Sequence, residues 1–403
     1  MKIIIIGAGL MGVTSSFYLS RLGYEVTLID SESAVANSTS FANGGQLSYA
    51  YVDPLASRSI LKNIPGILLG KEPAFKMGFN TKEFIPWIIK FLLSCNDKIE
   101  ESIINDMTEL SLLSWKLMQD LLEEFNIDFD YRQSGKLHIY NSSRDFVDAQ
   151  YKSDLKRDMG VAQEVFSPTD CTNLEPALLN YSQNIVGGIY SPNDSVGDAQ
   201  KFCVALTKIA QEKYGLKLQL NTKVKSLIKS NDEVVGVQTD KGEFHADKYV
   251  VTLGVYSDKL LGKIGSKISV YPMKGYSLTF KANNRTPSIS ITDAKNKMVI
   301  SRLGDNLRVA GYAHFVGFNK NISDKYVSQM QNKTRDLLPG CASYHKISHS
   351  WVGLRPMVPT SVPTVGRTKY SNVWVNSGHG MLGWTLSLGS SFSLSLLIAD
   401  EDK

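Results

Sequence analysis

The sequence predicts an α/β fold built around a Rossmann-like unit, and three observations carry that expectation. First, an apolar run, Ile3-Ile4-Ile5-Ile6, meets the turn Gly7-Ala8-Gly9-Leu10-Met11-Gly12, and Val13 to Leu22 then reads as a helix. In that order the glycines let the backbone turn tightly, and the helix start offers free N–H groups to a phosphate. Second, Glu25-Val26-Thr27-Leu28-Ile29-Asp30 alternates like a strand and ends on a carboxylate 18 residues past Gly12. That is near the spacing of the acid that accepts ribose hydroxyls, and it disfavours a 2′-phosphate. Third, the same glycine pattern returns as Gly378-His379-Gly380-Met381-Leu382-Gly383, after the strand-like Val373-Trp374-Val375-Asn376 and before a helix from Trp384 to Ala399. A nicotinamide site explains the first loop; a flavin site explains both.

The remaining elements follow in order. Phe84 to Leu93 is apolar nearly all round, is interrupted by Pro86 and is too short to span a bilayer. It reads as a buried helix or subunit contact, or as a face resting on a membrane. Asp97 to Glu124 carries apolar residues at helical spacing. Lys136-Leu137-His138-Ile139-Tyr140 and Gly187 to Ser191 read as strands. Asp198 is placed to cap a helix from Ala199 to Tyr214, which competes with a catalytic role for it. Leu216 to Gly254 reads as successive short strands, a β-rich stretch runs on to Ala313, and a helix is expected near Ser323 to Leu338.

Composition excludes several classes. At 403 residues the chain has room for two domains, and 44 basic against 39 acidic residues give only +5, without a Lys/Arg block, so nucleic acid is not expected. Lys2 and the apolar run after it imitate a signal peptide, but Gly7 and Gly9 break the run and no cleavage motif follows. Cys95, Cys171, Cys203 and Cys341 are too scattered for a disulfide frame or metal knuckle, and read as free thiols in a reducing compartment. His345 and His349 lie four apart but in a strand-like context without an acidic ligand, so no metal is expected. Neither a serine-nucleophile elbow nor a phosphate-binding Gly-Lys-Ser/Thr loop is present.

One residue stands out chemically. Arg355 lies in Trp351-Val352-Gly353-Leu354-Arg355-Pro356-Met357, flanked by apolar residues. Arginine is seldom buried without an anion, and its planar fork fits a carboxylate, so a carboxylate substrate or a structural salt bridge is expected there.

Taken in order, these segments resemble a family. Gly7 to Gly12 with Asp30, Ser40-Phe41-Ala42-Asn43-Gly44-Gly45-Gln46, Tyr271-Pro272-Met273-Lys274-Gly275-Tyr276-Ser277-Leu278-Thr279, Gly353-Leu354-Arg355-Pro356 and Asn376 to Thr385 are similar to the small subunit of bacterial D-amino acid dehydrogenases, within the wider D-amino acid oxidase group. The resemblance runs over essentially the whole chain. Glycine, sarcosine, opine and proline oxidising relatives share the layout.

The resemblance implies a discontinuous FAD domain (1–60, 187–260 and 350–403) and an α+β substrate domain with a mainly antiparallel sheet (61–186 and 261–349). It implies that FAD is held by Gly7, Ala8, Gly9, Leu10, Met11, Gly12, Asp30 and Ser31 at one end. Along the middle it places Ser40, Asn43, Gly44, Gly45, Gln46, Val224 and Gly254, and at the other end Gly353, Gly378, Gly380, Met381, Gly383, Trp384 and Thr385. Arg355 would grip the substrate carboxylate, with Tyr276 assisting. The implied reaction is oxidative deamination of a D-amino acid, hydride passing from Cα to flavin N5 without a protein general base. Electrons would then reach a quinone or respiratory acceptor. The implied setting is cytoplasmic, with a peripheral membrane contact near Trp87. The alternatives are a same-fold enzyme acting on a secondary amine or glycine, and a non-catalytic flavin-binding subunit.

Overall fold

A computed structural model describes residues 1–402 apart from 58–59, 62–65, 67–73 and 79–82. A six-stranded sheet holds the N-terminus at its centre, in the order Thr364–Arg367, Val373–Ser377, Lys248–Val251, Lys2–Ile6, Glu25–Ile29, Lys217–Gln219. All neighbours run parallel except the first pair. Such a sheet is covered on both faces, which is why Ile3 to Ile6 can be an unbroken apolar run. Ile3 and Ile5 pack toward Phe17, Phe202 and Leu388, from the helices Leu10–Arg21, Ala199–Tyr214 and Gly383–Glu401. Ile4 and Ile6 face the opposite way, onto Leu227, Val237 and Leu261. Each such buried side chain contributes about 1.5–3 kcal/mol.

The second sheet has nine strands among the described residues and is mainly antiparallel, its long centre formed by Tyr271–Ala282 between Ala342–Met357 and Asn306–Phe315. Lys136–Tyr140 joins it beside Ser290–Asp293. Gly187–Ser191 pairs with Lys136–Tyr140, and Ala342–Met357 runs through position 350, so elements of this sheet extend across two of the expected boundaries.

The helices from Asp97, Ala199 and Trp384 lie where periodicity places them, at Asp97–Glu124, Ala199–Tyr214 and Gly383–Glu401. Asp198 caps its helix, accepting from the N–H groups of Gln200 and Lys201 at 3.0 Å each. The Ser- and Gly-rich C-terminal helix packs tightly between two others. Thr14 and Ser391 hydroxyls lie 2.7 Å apart, and a Cβ at Gly389 would stand 2.5 Å from Ser114 Oγ. All four cysteines are free and buried. Among the described residues no helix is long and apolar enough to cross a membrane, and no cluster of three His, Cys, Asp or Glu is arranged for a metal.

Candidate active site

A continuous cavity of about 1530 Å³ runs between the two sheets, and residues from both glycine loops line it. At one end the strand Lys2–Ile6 turns at Gly7, where φ is +109° and a Cβ would stand 2.9 Å from the Thr252 carbonyl oxygen, leaving no room for a side chain. Gly9 gives the helix that follows no side-chain cap; its first amide, Leu10 N–H, donates to Ser40 Oγ at 3.3 Å, and Gly9, Leu10 and Met11 line the cavity wall. Gly12 lies behind that wall: a Cβ there would fall 1.7 Å from the Gly7 carbonyl. Its part is to let helix and turn pack, while the other residues of the loop line the cavity.

Asp30 accepts from Ala8 N–H and from Glu32 N–H, at 2.5 and 2.8 Å, which fixes its carboxylate beside the loop. Ser31 and Val224 stand on the same stretch of wall. Gly254, with φ +53°, makes the turn after strand Lys248–Val251, and its carbonyl accepts from Ser377 Oγ at 3.1 Å.

The middle of the cavity is formed by the segment from Ser40 to Gln46, which is bolted to the second sheet. Asn43 folds back to accept from Gly45 N–H at 3.0 Å, and its carbonyl accepts from Arg308 at 3.1 Å. The Gln46 amide donates to Ser290 Oγ at 2.6 Å and reaches Thr292 Oγ1 at 3.3 Å. A Cβ at Gly44 would sit 2.6 Å from Val299, and one at Gly45 2.8 Å from Leu303, so this strip must be glycine to lie flat on the sheet.

The second glycine loop turns through Gly378 (φ +88°) and Gly380 (φ +55°), and its Gly383 lies against Met11 of the first. Gly380 N–H donates to the Pro356 carbonyl at 3.0 Å, which ties the loop to the residue beside Arg355. Met381 and Gly383 line the cavity; Trp384 does too, and its indole N–H donates to the Gly197 carbonyl at 3.0 Å. The Thr385 hydroxyl accepts from Ser48 N–H at 2.9 Å.

Arg355 reaches across its neighbouring strand. In register, Gly275 opposes Gly353, and a Cβ at Gly275 would lie 2.6 Å from the guanidinium carbon. Gly353 makes the matching space for the Trp351 ring, 2.0 Å from where its Cβ would be. One Arg355 N–H donates to the Tyr312 carbonyl at 2.6 Å. Tyr312 holds φ +64° at a bulge, where the register slips between Lys274–His314 and Tyr276–Gly311; the bulge aims that carbonyl. Among the described residues no carboxylate lies within 4.0 Å of Arg355. Burial pulls its pKa down to about 10, still fully charged at neutral pH. The guanidinium is therefore a half-buried cation on the cavity wall with donors to spare, not half of a salt bridge.

Tyr276 lines the cavity, on the same strand as Gly275. There it packs with Tyr312, His314 and Tyr326, at centroid distances of 5.7–5.9 Å. Sequence reasoning passed over Gly275, although it sits inside the quoted Tyr271–Thr279 segment, and it read Lys136–Tyr140 only as a strand. Lys136 and His138 are both buried and line the cavity. Nothing in their types signals that burial; only the pairing of Ser290 with Lys136 and Thr292 with His138 brings them inside.

Two glycine loops that share one wall of a long cavity, Met11 of the first lying against Gly383 and Ser390, with Asp30 to one side and an arginine without a carboxylate partner to the other, fit one extended dinucleotide with substrate beside its second end. The model of the DAO family, FAD dependent oxidoreductases, matches residues 2–393.

The chain belongs to the DAO family of FAD-dependent oxidoreductases.

FAD is the cofactor that this membership brings, and the wall fits it: the helix N-terminus and Asp30 for pyrophosphate and ribose, glycine strips where a flat ring must approach backbone. A D-amino acid dehydrogenase of Dechloromonas aromatica (strain RCB) is 36% identical over 99% of this chain and 97% of its own length. Among solved structures, the chain is similar to glycine oxidase from Bacillus cereus ATCC 14579, with TM-score 0.76 and 20% identity over 100% and 96% of the two chains. It is equally similar to L-proline dehydrogenase from P. horikoshii, with TM-score 0.76 and 17% identity over 99% and 93%. At those identities the two structures speak for the fold.

Proposed function

We propose that this DAO family member oxidises D-amino acids to 2-oxo acids and ammonia. The observation that carries the reading is Arg355, a half-buried guanidinium without a carboxylate partner beside the second glycine loop. Its free donors suit the substrate carboxylate, which would also relieve the cost of burying the charge. The D-configuration is supported by the name of the full-length relative at 36% identity. Bound FAD supplies the two-electron acceptor for the hydride that leaves Cα.

The protein's own contribution is placement and exclusion of water. Arg355 fixes the carboxylate, and the flat glycine strip at Gly44 and Gly45 holds the second sheet close. The amine reacts in its neutral form, and its lone pair forms the C=N bond as hydride departs. Water then adds to the iminium carbon, and ammonia leaves from the 2-oxo acid. No lining residue need take a proton: burial holds His138 neutral, with a pKa far below its usual range. Residues Gly7 to Met11, Asp30, Ser31 and Val224 would hold the adenosine and pyrophosphate, with Ser40 to Gln46, Gly254 and the Gly378–Thr385 loop along the flavin.

We extend the proposal to the acceptor, a membrane quinone reached by peripheral binding. Helix Phe84–Ser94 buries Phe84, Trp87 and Phe91 but presents Ile85, Ile89 and Leu93 outward, 57%, 52% and 72% exposed. Such a face suits the boundary of a bilayer.

The deciding experiment is anaerobic mixing of the FAD-loaded protein with D-alanine, L-alanine, glycine and L-proline. The flavin absorbance should bleach with D-alanine and stay with L-alanine. Bleaching by glycine or proline alone would replace this reading with a neighbouring chemistry, and no bleaching by any of them would end it.

A further inference from the structure

The cavity has a second cation that the proposed reaction does not use. Lys136 is 3% exposed and lines the cavity, and its ammonium donates to Ser48 Oγ at 2.9 Å and lies 4.7 Å from the Tyr51 ring centroid. That accounts for one of its three donors. The other lysines nearby are already matched. Lys156 pairs with Asp53 at 2.9 Å, and Lys152 pairs with Glu100 at 2.8 Å and Asp148 at 3.1 Å. Among the described residues Lys136 has no carboxylate within 4.0 Å. Asp194 faces it from beyond that distance, fully buried and off the cavity wall.

Both cations are tied to the same short stretch. Arg355 adjoins Pro356, whose carbonyl accepts from Gly380 N–H. Lys136 holds Ser48, whose N–H donates to Thr385 Oγ1. Gly380 lies in the second glycine loop and Thr385 in the first turn of the helix it opens. Arg355 and Lys136 thus line the same cavity, each tied to this stretch.

We propose that the preferred substrate carries a second carboxylate, as D-glutamate or D-aspartate does, and that Lys136 receives that side-chain anion while Arg355 holds the α-carboxylate. The inference rests on the D-amino acid reading above. A buried ammonium with spare donors is costly alone and favourable with an anion. Burial has pulled its pKa down to about 8, so it stays mostly protonated at neutral pH, and an arriving carboxylate would favour that charged form further. Tyr51 and His138, whose ring centroids lie 4.1 Å apart, line the same cavity, and the neutral imidazole does not oppose an anion.

The test compares isosteric pairs: kcat/KM for D-glutamate against D-glutamine and for D-aspartate against D-asparagine, with D-alanine as reference. The wild type should favour the acid at least tenfold within a pair. Lys136→Met should erase that ratio, and Lys136→Arg should keep part of it. Turnover of D-alanine with amide and acid substrates equal would overturn the inference and leave the proposed function intact. Absence of turnover with every D-amino acid would overturn both. A spectral titration of the wild-type flavin with glutarate and butyrate needs no variant to fold: tighter binding of glutarate supports the Lys136 site, and equal binding overturns it.

Discussion

Arg355 depends on what its neighbours lack. Its guanidinium lies where Gly275 would carry a side chain, so Gly275→Ala should act on substrate binding almost as directly as removal of the arginine itself. A hydrogen-bonded charge pair of this kind is worth about 1.5–3 kcal/mol, and each 1.4 kcal/mol is about tenfold. Arg355→Leu should therefore raise KM for a D-amino acid roughly tenfold to a hundredfold, and Gly275→Ala should raise it in the same direction, both with FAD retained. Steady-state kinetics beside the flavin absorbance read this out; an unchanged KM in Arg355→Leu would remove its assigned role. Local chemistry made Arg355 legible in the sequence, since an arginine among glycine, proline and apolar residues advertises a buried charge. Asp30 was legible through its distance from the glycine turn. Tyr276 was legible only as a strand aromatic; its place on the cavity wall depends on the register set by its pairing with Val352. Lys136 was hidden for a related reason. It reads as a solvent-facing strand residue until Ser290 is paired beside it and the segment around Ser48 closes over it.

At the level of elements, periodicity found the long helices because each carries its own burial pattern. It missed Ser143–Asp158, which has only Ser153 and Lys156 buried and so no apolar stripe to read. Phe84–Ser94 poses the opposite case, an apolar helix that the fold covers on one side only. Its inner face stacks Trp87 on Phe91 at 5.3 Å, and the Trp87 indole N–H donates to the Met357 carbonyl at 3.0 Å. The helix is thus anchored to the strand that carries Arg355, while Ile85, Ile89 and Leu93 point away. If these residues meet lipid, the wild type should float with vesicles containing anionic lipid, helped by the net charge of +5. The double substitution Ile85→Asp with Ile89→Asp should leave it in the dense fraction, with folding and flavin content unchanged because both positions are exposed. Failure of the wild type to float would detach this helix from the proposed electron path.

Over the whole molecule, the cavity is closed by buried polar groups drawn from segments far apart in the chain, and some of them must stay uncharged. His379, inside the second glycine loop, shares a 2.9 Å hydrogen bond between Nε2 and Ser390 Oγ, while its Nδ1 has no partner among the described residues. Burial lowers its pKa to about 3, and it lowers that of His138 far below the usual 6.5 as well. The unfolded chain takes up these two protons below about pH 6.5, whereas the folded chain refuses them. Stability is therefore full above that pH and is lost as the solution is acidified toward the folded values. Asp194 works against this, because burial raises its pKa to about 6, so the folded chain keeps a proton there that the unfolded chain gives up near pH 4. Two histidines against one aspartate leave a net uptake of about one proton on unfolding between pH 4 and 6.5. Thermal melts of the FAD-loaded protein should accordingly show Tm falling from pH 7 to pH 5. The share that belongs to the glycine loop is isolated by His379→Asn, which cannot be protonated: its Tm should fall less over the same range, even if it starts lower. A parallel fall in variant and wild type would mean that the imidazole is not the group that acid has to force into charge.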